Sequence, residues 1–246
     1  MTHPAPGHFG AAVRRLAGRR QLGVDALAGL AGVPPPELTA ILGGGAPNGG
    51  LVRRLATALR LHPADLFAVA DLPVPEDVAP ADPSAGWRLA LLVQRAMRLS
   101  RRQRESLRAA VAALPAAARI GPPLEASSRH RYPPGPGGLL MRLMQNRNAG
   151  PVTTAKLLLV TTGQCLAAST YLKIGHGVLT PAPQRSTNFA MVIDIDSDDL
   201  AALTGLTVER PPPSAPTDIA GLIWDARRLD AAQLERAGAL ADRLRA

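Results

Sequence analysis

Along residues 9–71 apolar side chains return at helical spacing in five short bursts, each closed by a breaker. Phe9, Val13 and Leu16 share one face, with Arg14, Arg15, Arg19 and Arg20 on the others. That pattern predicts an amphipathic helix whose cationic last turn suits the helix dipole. Leu27, Ala28 and Ala31 line a second helix from Val24 to Ala31, and Leu38, Ile41 and Leu42 line a third from Pro35 to Leu42. Gly32 stands where the chain must stop one helix and reverse, a place that favours positive φ. Pro34-Pro35-Pro36 opens the third helix, in a first turn that lacks acceptors for its N–H groups, and Gly43-Gly44-Gly45 closes it. Asn48-Gly49-Gly50 precedes a fourth helix with Leu51, Leu55, Ala58 and Leu59, and His62-Pro63 opens a fifth with Leu66, Phe67 and Val69 inward.

Beyond residue 71 the pattern lapses and resumes. Residues 72–86 are rich in Pro and acid with no sustained period, which reads as a linker or extended strap. Residues 87–114 form a helical hairpin, with Leu89, Leu92, Val93 and Ala96 inside the first arm, Ser100 capping the second, and Leu107, Val111 and Leu114 on its stripe. A Pro/Gly-rich connector follows at 115–138. The second half then echoes the first. At an offset of 134, Ala56, Asp65, Leu66, Ala68 and Leu72 meet Ala190, Asp199, Leu200, Ala202 and Leu206. At 130, Leu92, Ala96, Arg98, Leu99, Gln103, Glu105, Ala109 and Leu114 meet Leu222, Ala226, Arg228, Leu229, Gln233, Glu235, Ala239 and Leu244. At 131, Leu27, Gly32, Thr39 and Gly44 meet Leu158, Gly163, Thr170 and Gly175. A tandem repeat follows, with a second five-helix unit at 139–205, a linker at 206–218 and a second hairpin at 219–245.

Composition narrows the class. Hydrophobic residues make up 46% of the 246 but aromatic ones only 3%, so cores of Leu, Ala, Val and Ile are expected, in an all-α fold of closely packed helices. The formal charge of +9 points toward anionic partners, nucleic acid above all. Nearly all of it is Arg, which a GC-rich coding sequence would produce equally well. Arg88, Arg95, Arg98, Arg101, Arg102, Arg104 and Arg108 make the first hairpin the most basic part, either a phosphate-binding face or a solvated one. A single cysteine, Cys165, excludes an internal disulfide framework and favours a reducing cytoplasm, and its place near a helix start predicts a small buried side chain. MTHPAPGHFG has no apolar core of a signal peptide, and no run is long enough to span a bilayer, so no membrane association is expected.

No catalytic constellation stands out. His3, His8, His62, His130 and His176 are scattered, so neither a zinc site nor another cofactor is expected, and the chain reads as a non-enzyme. Asp194, Asp196, Asp198 and Asp199 read as a helix cap and solvated charge rather than a metal site.

LAGLAGVPPPELTAILGG and LATALRLHPADLF resemble the lambda-repressor and Cro type of helix-turn-helix domain, the xenobiotic-response-element family of bacterial regulators, over about residues 9–71. The resemblance implies duplex DNA as partner, with the third helix in the major groove. Carried onto this chain, the groove-facing positions are Pro35, Pro36, Thr39 and Ala40, a set without the Arg, Lys, Gln or Asn that discriminate bases. The second unit offers Gln164, Thr170, Tyr171 and Lys173, with Arg185 near its fourth helix. Arg19, Arg20, Arg53 and Arg54 are the expected phosphate contacts. The two units would act as a covalent pseudo-dimer. The alternative expectation is a module that kept the fold, lost the base contacts and binds itself or another protein.

Overall fold

Leucine-, alanine- and valine-rich stripes with few aromatics favour helix-on-helix packing. The computed structural model describes residues 8–121, 127–210 and 217–245, and among these every regular element is helical. Residues 1–7, part of the connector (122–126) and part of the second linker (211–216) lie outside the described residues. The first run comprises α1 (His8–Arg19), α2 (Val24–Ala31), α3 (Pro35–Leu42), α4 (Gly49–Ala58) and α5 (Pro63–Val69), then the hairpin α6 (Gly86–Ala96) and α7 (Arg101–Ala113). The second comprises α8 (Pro136–Gln145), α9 (Pro151–Thr162), α10 (Ala168–Gly175), α11 (Pro183–Ile193) and α12 (Ser197–Thr204), then α13 (Thr217–Ala226) and α14 (Ala231–Arg245). None is long and apolar enough to cross a membrane.

Local chemistry sets the helix ends. Asn48 caps α4 by accepting from Leu51 N–H at 2.9 Å. Ser100 and Gln103 form a reciprocal capping box on α7, and Asp230 and Gln233 form the same arrangement before α14. Asp196 accepts from the N–H groups of Asp198 and Asp199 at the start of α12, where a cap was expected. Backbone positions with positive φ fall in matching places of the two runs: Gln21 and Asn148, Gly32 and Gly163, Gly44 and Gly177, Arg60 and Asp194, Asp71 and Gly205. At Gly10 a Cβ would strike the Ile41 carbonyl oxygen, and at Gly137 that of Ile174, so α1 lies on α3 as α8 lies on α10.

The expected offset of 131 does not hold across the third helices. α3 starts at Pro35 and α10 at Ala168, an offset of 133. The source is the turn: the offset is still 131 at Gly32 and Gly163, and residues 163–167 then connect α9 to α10 where 32–34 suffice between α2 and α3.

Each run is completed by the other. α5 packs on α8, and α12 on α1. The hairpins interlock in one four-helix layer, α6 against α14 and α7 against α13. Polar contacts follow the same exchange. Arg147 holds both carboxylate oxygens of Asp65 at 2.8 Å and also donates to the Ile193 carbonyl. In the other direction Arg20 holds Asp199, at 2.5 Å through Nη2, and donates to the Leu59 carbonyl. Arg15 donates to Ala202 O at 2.7 Å and Arg142 to Ala68 O at 3.4 Å. Gln103 donates to the Leu244 carbonyl and Gln233 to that of Pro115. Contacts of each kind thus run in both directions between the two runs.

The strap and the connector are docked rather than free. Ala81 N–H donates to Arg227 O, Ile120 N–H to Ala81 O, and Ala117 N–H to Arg228 O.

Candidate nucleic-acid interface

In α2–α3 the turn closes on Gly32 at φ 61°, whose αL conformation and N–H bonds back to α2 end one helix and start the reversal. Leu38, Ile41 and Leu42 bury the inner face of α3, which leaves Pro36, Thr39 and Ala40 exposed. Thr39 Oγ1 donates to Pro35 O at 2.8 Å, so its hydroxyl is already engaged within the helix. α3 packs chiefly on α1 and α2, and α10 chiefly on α8 and α9. The hairpins cover neither.

Several expected DNA contacts are placed elsewhere. Tyr171 is fully buried: it occupies in α10 the core place that Leu38 takes in α3, packs edge-on against Phe189, and cannot reach a base. Burial pushes its hydroxyl above the usual tyrosine range, so it stays a donor-acceptor inside the protein. Gln164 is spent on the same network, donating to Tyr171 Oη at 2.9 Å and accepting from Asn188, which in turn accepts from Gln184. Sequence spacing could not separate these roles because a two-residue error in register exchanges a buried position for an exposed one.

The cations divide similarly. Arg20 is held by Asp199 and Leu59 O, and Arg19 by Asp196, Asp198 and Asp199, so both seal α1 to α12 instead of facing a phosphate. Arg53 bonds Asp77 of the strap at 2.7 Å, and Arg54 lies 3.9 Å from Glu37. In the basic hairpin, Arg95, Arg104 and Arg108 face Asp242, Asp218 and Asp225 of the C-terminal hairpin, and Arg101 faces Glu105. Three of the seven hairpin arginines are thus paired across the helix layer, while Arg98 and Arg102 remain exposed. Cys165, expected inside, is exposed in the turn between α9 and α10. Among the described residues no three His, Cys, Asp or Glu side chains gather as a metal-binding group.

Three cations on α9, α10 and α11 keep no ion pair among the described residues. Lys156 on α9 and Lys173 on α10 are exposed, and half-buried Arg185 at the start of α11 has no acidic partner among the described residues. No Asp or Glu occurs anywhere from residue 126 to 193. The corresponding face of the first run carries Asp25 and Glu37. Ser169 is exposed and Thr170 half-buried beside Lys173, the polar groups of the outer face of α10.

No family model, curated protein or solved structure matches the chain. The fold therefore rests on its own geometry, an all-α arrangement of two interlocked runs of seven helices.

Proposed function

We propose that the chain is a covalent pseudo-dimer of two divergent helix-turn-helix units that binds duplex DNA as a transcriptional regulator, with α10 as its principal reading helix. Support for two copies of one unit comes from the order of the helices, the five matched positive-φ positions and the reciprocal contacts between the runs. The observation that carries DNA binding is that Lys156, Lys173 and Arg185, on α9, α10 and α11, have no ion-pair partner among the described residues, while Ser169 and Lys173 stand exposed on the outer face of α10. Phosphate neutralisation by such groups supplies affinity through counterion release. Ser169 and Thr170 supply hydroxyls that bond either donors or acceptors on base edges, and α3, with Pro36, Thr39 and Ala40, contributes shape more than readout. Two units in one chain would address half-sites about 34 Å apart.

Fluorescence anisotropy on duplex promoter fragments at several salt concentrations tests this. Affinity should fall steeply with salt, and Lys173→Ala and Arg185→Ala should each lower the slope of log affinity by about one phosphate contact. A salt-independent signal, or two variants that titrate like the parent, would remove the reading.

One observation favours the other class, a protein-binding module: Arg19, Arg20, Arg95, Arg104 and Arg108 are all paired with carboxylates of the chain itself. Under that reading a stoichiometric protein partner co-purifies and DNA–cellulose retains nothing.

A further inference from the structure

Between the strap and the connector the structure leaves an open-mouthed cavity of about 440 Å³ that no part of the DNA interface uses. That volume falls within the ordinary range of small-molecule sites, roughly 300–1,000 Å³. Its walls come from both runs: the end of α5 and the strap on one side, α8 and the connector on the other. Leu72, Val74 and Ala79 make one wall apolar.

The opposite wall is polar and short of partners. Arg142 has four contacts, all long for a charged donor: the Tyr132 and Pro133 carbonyls at 3.2 Å, Ala68 O at 3.4 Å and Asp71 at 3.4 Å. Ordinary charge-assisted N–H···O bonds lie at about 2.7–2.9 Å. Its Nε is shut off from solvent with no acceptor at all, and so is the hydroxyl of Tyr132, another residue of the lining. Burial pushes the Tyr132 hydroxyl up to about 12, which keeps it protonated and able to donate. Burial also draws the Arg142 guanidinium below its ordinary value, with Asp71 opposing that shift. Arg131 adds a second cation to the lining, and Arg119 a third that lies 3.7 Å from Glu76. Buried donors without acceptors are costly, and a small turn of either side chain toward an acceptor brought by a ligand would remove that cost.

We propose that this cavity binds a small organic acid whose apolar body lies against Leu72, Val74 and Ala79 and whose carboxylate takes parallel bonds from Arg142. Because α5 and α8 belong to different runs, the bound acid bridges them and stabilises their pairing by mass action. The site stands independently of DNA binding.

Isothermal titration of the full chain with decanoate and with naphthalene carboxylate tests it, using the alcohols of the same carbon skeletons as uncharged controls. At least one acid should bind saturably and its alcohol about tenfold or more weaker, the ratio a charged hydrogen bond supplies. Arg142→Met should lose about the same factor. Since Arg142 also holds two carbonyls of the connector, Ala79→Trp provides a second arm: it fills the cavity from the other wall and should abolish binding while leaving thermal unfolding unchanged. Absence of saturable heat from both acids overturns the proposal, as does equal binding of acid and alcohol. Binding lost in Ala79→Trp but kept in Arg142→Met overturns the carboxylate assignment.

Discussion

Arg147 has no solvent exposure, yet it is a guanidinium. It survives there because Asp65, 1% exposed, meets it through two 2.8 Å bonds while the carbonyls of Leu143 and Ile193 take further N–H groups. Removing one partner leaves an uncompensated buried charge, so Arg147→Ala should cost about 3–5 kcal/mol in denaturant unfolding. Arg20→Ala, at the matching contact to Asp199, should cost clearly less, because the Arg20 side chain keeps 23% of its exposure and water screens the pair. Equal losses would refute the difference in burial. Nearby, His62 stacks on Trp224 at 3.5 Å, and Arg227 lies over the same ring at 3.6 Å with its guanidinium pushed down to about 10 by burial and by Arg147. Burial lowers the His62 pKa, with Asp65 opposing. The folded state then binds its proton less readily than the unfolded chain, so stability is full above the unfolded value, near 6.5, and falls as pH drops through it. His62→Phe keeps the stack, and its unfolding midpoint should vary less between about pH 5 and pH 7 than that of the parent; an unchanged pH profile would count against this account.

Among the elements, α9 is longer than α2 by about one turn of helix. The extra length of α9 moves Gly163 along the chain without changing its conformation, φ 74° against 61° at Gly32. Only glycine takes such angles freely, so Gly163→Ala should destabilise by about 1–2 kcal/mol in thermal or denaturant unfolding, although nothing lies within 4 Å of its missing Cβ. A neutral result would mean that the turn relaxes to another conformation. The turn residues and caps were legible in sequence because their causes are local: Gly32 by its position, Ser100 with Gln103 by a three-residue spacing. The fate of Tyr171 was not, because its burial depends on a register that the length of the turn after α9 sets.

At the level of the whole molecule, neither run carries its own complete set of partners. α5 and α12 each dock on the first helix of the other run, and the two hairpins share one layer. Residues 1–126 and 127–246 produced separately should therefore lack cooperative unfolding, and mixing them should restore one transition and one heterodimeric peak in size-exclusion chromatography. Two halves that each unfold cooperatively alone would sink this view. A linear reading from helix order assumes that neighbours in sequence pack together, and here the fifth helices and the hairpins break that assumption.

Helical spacing, glycine and proline punctuation and the scarcity of aromatics determined the all-α class and most helix limits, since these depend on interactions within a turn or two of chain. Partnership was decided only in three dimensions. Arg19, Arg20, Arg95, Arg104 and Arg108 look alike along the sequence as solvated or DNA-facing cations, and each meets a carboxylate more than a hundred residues away. Among the described residues Lys156, Lys173 and Arg185 pair with no carboxylate, near or far along the chain. Coulomb energy falls with distance through space and not along the chain, so the charge left over for a partner is a property of the packed molecule.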